Sequence, residues 1–180
     1  QRFELVYGHL AEHSMLEASR SILATLPDLP LVWEHRDFAP WNVLMDNGSL
    51  RVLDWDAAEP QGLPSTDLIY FLSNLTFCLE KVYPASCECS VYHTMLDTTS
   101  FTGRVFISCI ERYLAATGIA PASVHPLRLF TWMLHAGMDF GLTDAIISQT
   151  PRSDVFCRSL YLALWREELQ RTSNITHGLG

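Results

Sequence analysis

The segment His35-Arg36-Asp37-Phe38-Ala39-Pro40-Trp41-Asn42 sets an Asp and, five positions on, an Asn. A second stretch, Val52-Leu53-Asp54-Trp55-Asp56, sets another Asp at the end of an apolar run. These are the groups that phosphoryl transfer uses, in the order it uses them. One carboxylate orients and partly deprotonates an acceptor hydroxyl, while an Asn and a second carboxylate hold the magnesium that neutralises the phosphates. Asp37 is the candidate base, and Asn42 and Asp54 are the candidate metal ligands and the residues that meet the nucleotide.

These side chains have to be brought together by the chain between them. Val43-Leu44-Met45 and Leu50-Arg51-Val52-Leu53 flank Asp46-Asn47-Gly48-Ser49, and Asn-Gly between two apolar runs is a strong hairpin signal. A hairpin folds the chain back on itself, so Asn42 and Asp54 are expected side by side at its open end. Two oxygen ligands at adjacent strand ends can share one hard cation. Leu31-Val32-Trp33 reads as a short strand feeding the loop, and Pro40 restricts Ala39 to extended conformations. His35 is expected to hydrogen-bond backbone near the loop rather than react. Arg36 has a ready role in pairing with a carboxylate such as Asp54 or Asp56. Trp41 is expected to pack rather than stack on a substrate. If the stretch after Asp54 stays extended, Asp56 points to the same side. It is then either a secondary metal or water ligand or a hydrogen-bonded loop residue.

The segment from Leu31 to Phe71 resembles the catalytic segment of the aminoglycoside phosphotransferase and choline kinase-like family, small-molecule kinases with a protein kinase-like fold. The shared pattern is His-x-Asp, four residues, Asn, a short hairpin, an apolar run ending in Asp, and then an Asp-Leu pair, here Asp67-Leu68. The resemblance implies that Asp37 is the catalytic Asp, that Asn42 and Asp54 bind magnesium, that ATP is the co-substrate, and that Asp67 braces the loop from behind. The small-molecule enzymes usually carry Gly where Arg36 stands. Asp54-Trp55-Asp56 lacks the third-position Gly of protein kinases, and Asp67 opens a helix with no long activation segment before it.

Composition bounds the remaining possibilities. The 180 residues, 48% hydrophobic, suffice for one domain with a substantial core. The net charge of −8 offers no basic patch for nucleic acid. No apolar run has the length of a membrane span, and no signal peptide is visible, so a cytoplasmic location is expected. Gln1 in place of a starting Met suggests a processed or truncated chain. The five cysteines are irregularly spaced, and Cys87-Glu88-Cys89 is not a zinc spacing, so reduced thiols are expected.

Outside the loop the pattern is helical. Apolar residues recur at helical spacing over Arg2–Leu26, and Pro27-Asp28-Leu29-Pro30 ends that helix. Ala57–Pro64 reads as a loop. Ser65-Thr66-Asp67 reads as a helix start whose side chains cap free backbone N–H groups, running to about Leu79. Pro84–Ser90 reads as an irregular loop. Further helices are expected over Phe101–Ala116, ending at Gly118, from about Pro126 to Ile147, and over Val155–Gln170, with a frayed tail from Thr172. Trp132, Asp139, Asp144 and Trp165 read more readily as core or surface than as ligands.

The expected fold class is therefore mainly α with a small β-hairpin (α+β), the helical C-terminal lobe of a kinase-like fold. The loop and hairpin occupy 31–56 and a helical acceptor-side subdomain occupies 65–172. The sequence contains no G-x-G-x-x-G, and its one lysine is Lys81, so the nucleotide-binding N-terminal lobe is read as missing. Two functions follow. One is the catalytic and acceptor-binding portion of an ATP-dependent phosphotransferase acting on a hydroxyl of an aminoglycoside, sugar or choline-like molecule, its partners being that acceptor and the nucleotide. The other is a non-catalytic binding or scaffold module. Either way the isolated chain is expected to be inactive, with an apolar lobe surface open to self-association.

Overall fold

The chain is described by a computed structural model covering residues 7–8, 11–80, 89–144 and 159–177, with backbone alone at 140–144 and 172–177. Helix α1 is His13–Leu23. Strand β1 (Val32–Glu34) leads to a 3₁₀ turn, Pro40–Asn42, then β2 (Val43–Asp46), β3 (Ser49–Val52) and β4 (Glu59–Gly62). Helices α2 (Thr66–Leu79), α3 (Cys89–Leu96) and α4 (Phe101–Thr117) follow. After a 3₁₀ turn at Pro121–Ser123 come α5 (Val124–Asp144) and α6 (Leu160–His177). The protein is thus mostly helical, with two small antiparallel sheets. No described helix is long and apolar enough to cross a membrane.

The expected hairpin forms. Asn47 (φ 47°) and Gly48 (φ 81°) both take left-handed backbone, the combination whose twist matches a two-residue antiparallel connection. The register pairs Val43 with Val52 and Asp46 with Ser49. A second sheet was not expected: β4 pairs with β1, Val32 opposite Gly62 and Glu34 opposite Glu59, within the stretch read as a loop. Pro60 and Gly62 obscure that strand. Gly62 is required there, because a Cβ would collide with the Glu34 side chain. Pro60 is tolerable because a two-stranded sheet is all edge.

Helices α5 and α6 pack along each other, and α2 and α1 lie against α5. Ile69, Phe77, Leu127, Leu129, Trp132, Met133, Leu162, Leu164 and Trp165 are fully or almost fully buried between them. Each such side chain contributes roughly 1.5–3 kcal/mol of burial, so the helical stack holds most of the stability. Trp132 and Trp165 are therefore core. Inside this core Glu168 accepts from the Arg128 guanidinium at 3.1 and 3.0 Å and from Tyr92, whose hydroxyl in turn accepts from Trp132 Nε1. A buried carboxylate is tolerable only when paired and hydrogen-bonded in this way. Trp165 Nε1 donates to Ser19 Oγ at 2.8 Å and ties α6 to α1.

Several boundaries differ from the sequence reading. Helix α3 was not anticipated, and it begins within the stretch Pro84–Ser90 that was read as a loop. Gly118 ends α4 in left-handed backbone (φ 70°), as expected. Pro126 sits in the first turn of α5, where its missing N–H costs nothing. The tail does not fray at Thr172, since α6 continues to His177. The first turns of the expected Arg2–Leu26 helix, Lys81, Cys87, Cys157, most of Pro84–Ser90, the end of the helix expected to reach Ile147 and the start of the one expected at Val155 lie outside the described residues. Asp144 is described by its backbone alone. Cys78 and Cys109 are free thiols.

Candidate active site

The loop between β1 and β2 is held from behind by one residue. Asp67, in the first turn of α2, accepts the backbone N–H of His35 at 2.6 Å and of Arg36 at 2.9 Å. Burial pushes its carboxyl above the usual range, against the two N–H donors that favour the charge. Spent in this way, Asp67 does not cap α2, and the Ser65 side chain makes no cap bond either. Ser65 sits instead in left-handed backbone at φ 70°. This differs from the capping role the sequence suggested.

His35 is buried and structural. Its Nδ1 accepts from the Asp37 N–H (3.3 Å), so Nε2 carries the proton and donates to the Leu53 carbonyl at 2.7 Å. The imidazole thereby pins the end of β3 to the loop. Trp55 packs on its ring with centroids 4.6 Å apart. Ala39 is extended (φ −114°, ψ 160°), as Pro40 demands, and the 3₁₀ turn that follows points Asn42 back at Asp37. Asn42 Nδ2 donates to the Asp37 carbonyl at 2.9 Å and to Asp37 Oδ2 at 2.8 Å. That leaves Asn42 Oδ1 as the atom able to meet a cation.

The structure thus brings Asp37 and Asn42 into direct contact. Asp54 follows Leu53, whose N–H donates to the Asn42 carbonyl at 2.9 Å, so it stands beside Asn42 across the hairpin mouth. Its side chain is exposed, and its backbone is left-handed at φ 60°. That kink and the turn closed by Ala58 N–H to the Trp55 carbonyl end the extended run. Asp56 therefore does not sit two residues along one strand face from Asp54, and the premise for a shared metal role fails. Asn42 Oδ1 and the Asp54 carboxylate are oxygen donors suited to magnesium, which commonly takes one or two protein ligands and completes its shell with phosphates and water. No cluster of three His, Cys, Asp or Glu that could hold a metal by itself occurs among the described residues.

Arg36 does not pair with Asp54 or Asp56. Its Nε lies 3.8 Å from Glu34 and a terminal nitrogen lies 3.6 Å from Glu59, on the paired strands β1 and β4. The reason is its backbone, left-handed at φ 68°, which turns the side chain back over the β1–β4 sheet. The same φ is one that glycine adopts at no cost. Glu34 is buried, and burial raises its carboxyl above the ordinary range. Strand β1 ends at Glu34, so the two-residue spacing by itself gave no signal for this pair.

One further group that sequence reasoning missed meets Asp37, with two more packed behind it. The Tyr70 hydroxyl lies 3.5 Å from Asp37 Oδ1, and the Tyr161 hydroxyl lies 3.0 Å from that of Tyr70. His135 stacks on the Tyr70 ring with centroids 3.6 Å apart and planes at 8°. Burial drives the His135 pKa from 6.5 down to about 3, so the imidazole is neutral. Tyr70 lies three residues beyond Asp67 and so shares a helix face with it, a signal that was available. Nothing in the sequence links Tyr161 to it. Trp41, expected to pack, keeps 47% of its surface exposed. Asp139 is half-buried, accepts from Ser159 at 3.2 Å, and has its carboxyl raised by burial.

The Asp37 carboxylate braced by the Asn42 amide, with the exposed Asp54 carboxylate beside it at the hairpin mouth, is a set of groups that phosphoryl transfer can use. The family model of the phosphotransferase enzyme family matches residues 5–127, well beyond the loop itself, and the chain belongs to that family. No curated protein and no solved structure matches the chain.

Proposed function

We propose that this chain is the catalytic and acceptor-binding part of an ATP-dependent phosphotransferase with a kinase-like fold, acting on a hydroxyl of a small molecule. Asp37 orients the acceptor hydroxyl and takes its proton as the new O–P bond forms. Asn42 Oδ1 and the Asp54 carboxylate hold magnesium, which when bound neutralises phosphate charge. The observation that carries this reading is the double hydrogen bond from Asn42 Nδ2 to the Asp37 carbonyl and carboxylate. It couples Asp37 to Asn42 and leaves Asn42 Oδ1 as the atom to face a cation in this reading.

In this reading the chain is one lobe, in which 31–56 carries the loop and ligands and 65–172 forms the acceptor side, and the face around the hairpin is where a second lobe would sit. Trp33, Leu44, Met45 and Leu50 are all at least half exposed. Exposed apolar side chains such as Met45 and Leu50, paired across the hairpin, favour an interaction on this face. In this reading a nucleotide-binding lobe covers it and supplies the glycine-rich and lysine contacts to the phosphates. Aminoglycosides, sugars and choline-like alcohols are the acceptor classes to test.

Asp37→Asn in the full-length protein, assayed with labelled ATP against a panel of those hydroxyl compounds, is the direct experiment. Transfer should fall by on the order of 10²-fold or more, the usual contribution of a positioned base. Thermal melting should stay near wild type, because the carboxylate contributes little to the core. Activity within about tenfold of wild type, judged against that contribution, would sink the assignment and favour the non-catalytic scaffold.

A further inference from the structure

Helix α2 meets three consecutive residues of the loop. Asp67 takes the backbone N–H of His35 and of Arg36, and Tyr70, on the same face, brings its hydroxyl to Asp37 Oδ1 at 3.5 Å. The other carboxylate oxygen, Oδ2, is taken by Asn42 at 2.8 Å. Asp37 is therefore gripped from two sides, by its own loop and by the helical subdomain. We propose that Tyr70 is a positioning residue for Asp37, and that Tyr161 and Asn74 form with it a hydroxyl chain that runs in either direction.

The chain has four stations. Tyr161 Oη stands 3.0 Å from Tyr70 Oη and 3.5 Å from Asn74 Oδ1, and Tyr70 Oη stands 3.5 Å from Asp37 Oδ1. Each phenol has one proton to give, so two settings exist. In the first, Tyr161 donates to Tyr70 and Tyr70 donates to Asp37. In the second, Tyr70 donates to Tyr161 and Tyr161 donates to Asn74. No covalent bond changes between them, and only the two O–H bonds rotate. The ionised carboxylate favours the first setting, because a hydrogen bond to a charged acceptor is the stronger. The first setting holds Asp37 Oδ1 while the site is empty. The second frees it to accept the acceptor's proton.

The rings are fixed well enough for this. Tyr70 is buried and stacked on neutral His135, and its carbonyl accepts from Asn74 Nδ2 at 2.9 Å. Tyr161 is buried, with its ring 6.1 Å from Trp132 and nearly parallel to it. Only the hydroxyl protons have freedom left. Asp67 lies one turn earlier on the same face of α2, so the helix that sets the loop backbone also sets the carboxylate.

The catalytic consequence rests on the role assigned above to Asp37, but the hydrogen-bond direction does not, and the two are tested apart. Labelling all six tyrosines at Cζ with ¹³C gives one signal each, and Tyr70→Phe identifies that of Tyr70. In Asp37→Asn the first setting loses its charged acceptor. The Tyr70 signal should then shift most, that of Tyr161 less, and those of Tyr92 and Tyr113 should stay still. A Tyr70 signal that moves no more than that of Tyr92 overturns the proposal. In the full-length phosphotransferase, Tyr70→Phe should lower kcat several-fold and leave KM for magnesium–ATP unchanged. An unchanged kcat, or a rise in KM alone, overturns the positioning role. If no acceptor is phosphorylated by the wild type, the functional reading fails while the Cζ result still decides the hydroxyl chain.

Discussion

His135→Phe isolates one buried titration from all others. The imidazole is 4% exposed, stacked on Tyr70 and tilted against Tyr161 at 5.4 Å. Burial lowers its pKa from 6.5 to about 3. A depressed basic group binds fewer protons folded than unfolded, so the stability it allows is present above pH 6.5 and lost as pH falls towards 3. Each pH unit inside that window costs about 1.4 kcal/mol, so by pH 5 the loss is about 2 kcal/mol. Phe keeps the ring stack and removes the titration. Glu34, Asp67 and Asp139, whose raised carboxyl pKa values act in the opposite sense, are common to both proteins and cancel in the difference. Urea unfolding at pH 7.5, 6 and 5 should show the variant gaining on the wild type by about 2 kcal/mol between the first and last pH. Parallel pH curves would mean that His135 is protonated or hydrated in the fold, and would refute the argument.

Two other substitutions probe the site. Arg36→Gly relieves a left-handed backbone worth about 1–2 kcal/mol but strips a cation from buried Glu34 and from Glu59. Leaving buried Glu34 without its cation costs more than the backbone gains, so the net expectation is a loss of roughly 1–2 kcal/mol at pH 7, shrinking as falling pH protonates Glu34, whose carboxyl is raised. Chemical denaturation reads it, and a stabilised variant at pH 7 would show that the ion pairs contribute nothing. Asp54→Ala should weaken magnesium–ATP binding in the full-length protein by roughly tenfold or more, about 1.4 kcal/mol, and Asp56→Ala by clearly less. Calorimetric titration separates them, and a larger effect at Asp56 would reassign the ligand.

Local chemistry alone made much of the site legible. Asn47-Gly48 dictates the hairpin because both residues accept positive φ, and the hairpin alone brings Asp54 level with Asn42. The spacing from Asp37 to Asn42, with Pro40 between them, makes a tight turn that returns the amide to the carboxylate. Gly118 stops α4 for the same conformational reason that Gly48 turns the hairpin. Helical periodicity located α1, α2, α4, α5 and α6 because each buries one apolar face on its neighbours.

Contacts between distant segments could not be read this way. Strand β4 exists because β1 offers it a partner and Gly62 leaves room for Glu34, whereas its own residues, Glu-Pro-Gln-Gly, have no strand preference. Arg36 could have reached several carboxylates, and its left-handed backbone chose Glu34 and Glu59 over Asp54 and Asp56. The brace that Asp67 gives the loop was expected from the family resemblance alone, since its own neighbours read only as a helix start. The hydroxyl chain behind Asp37 joins Tyr70 to a tyrosine 91 residues away. Periodicity marks Tyr161 only as a core position, and it takes the packing of α6 against α5 and α2 to turn that position into a hydrogen-bond partner of the site.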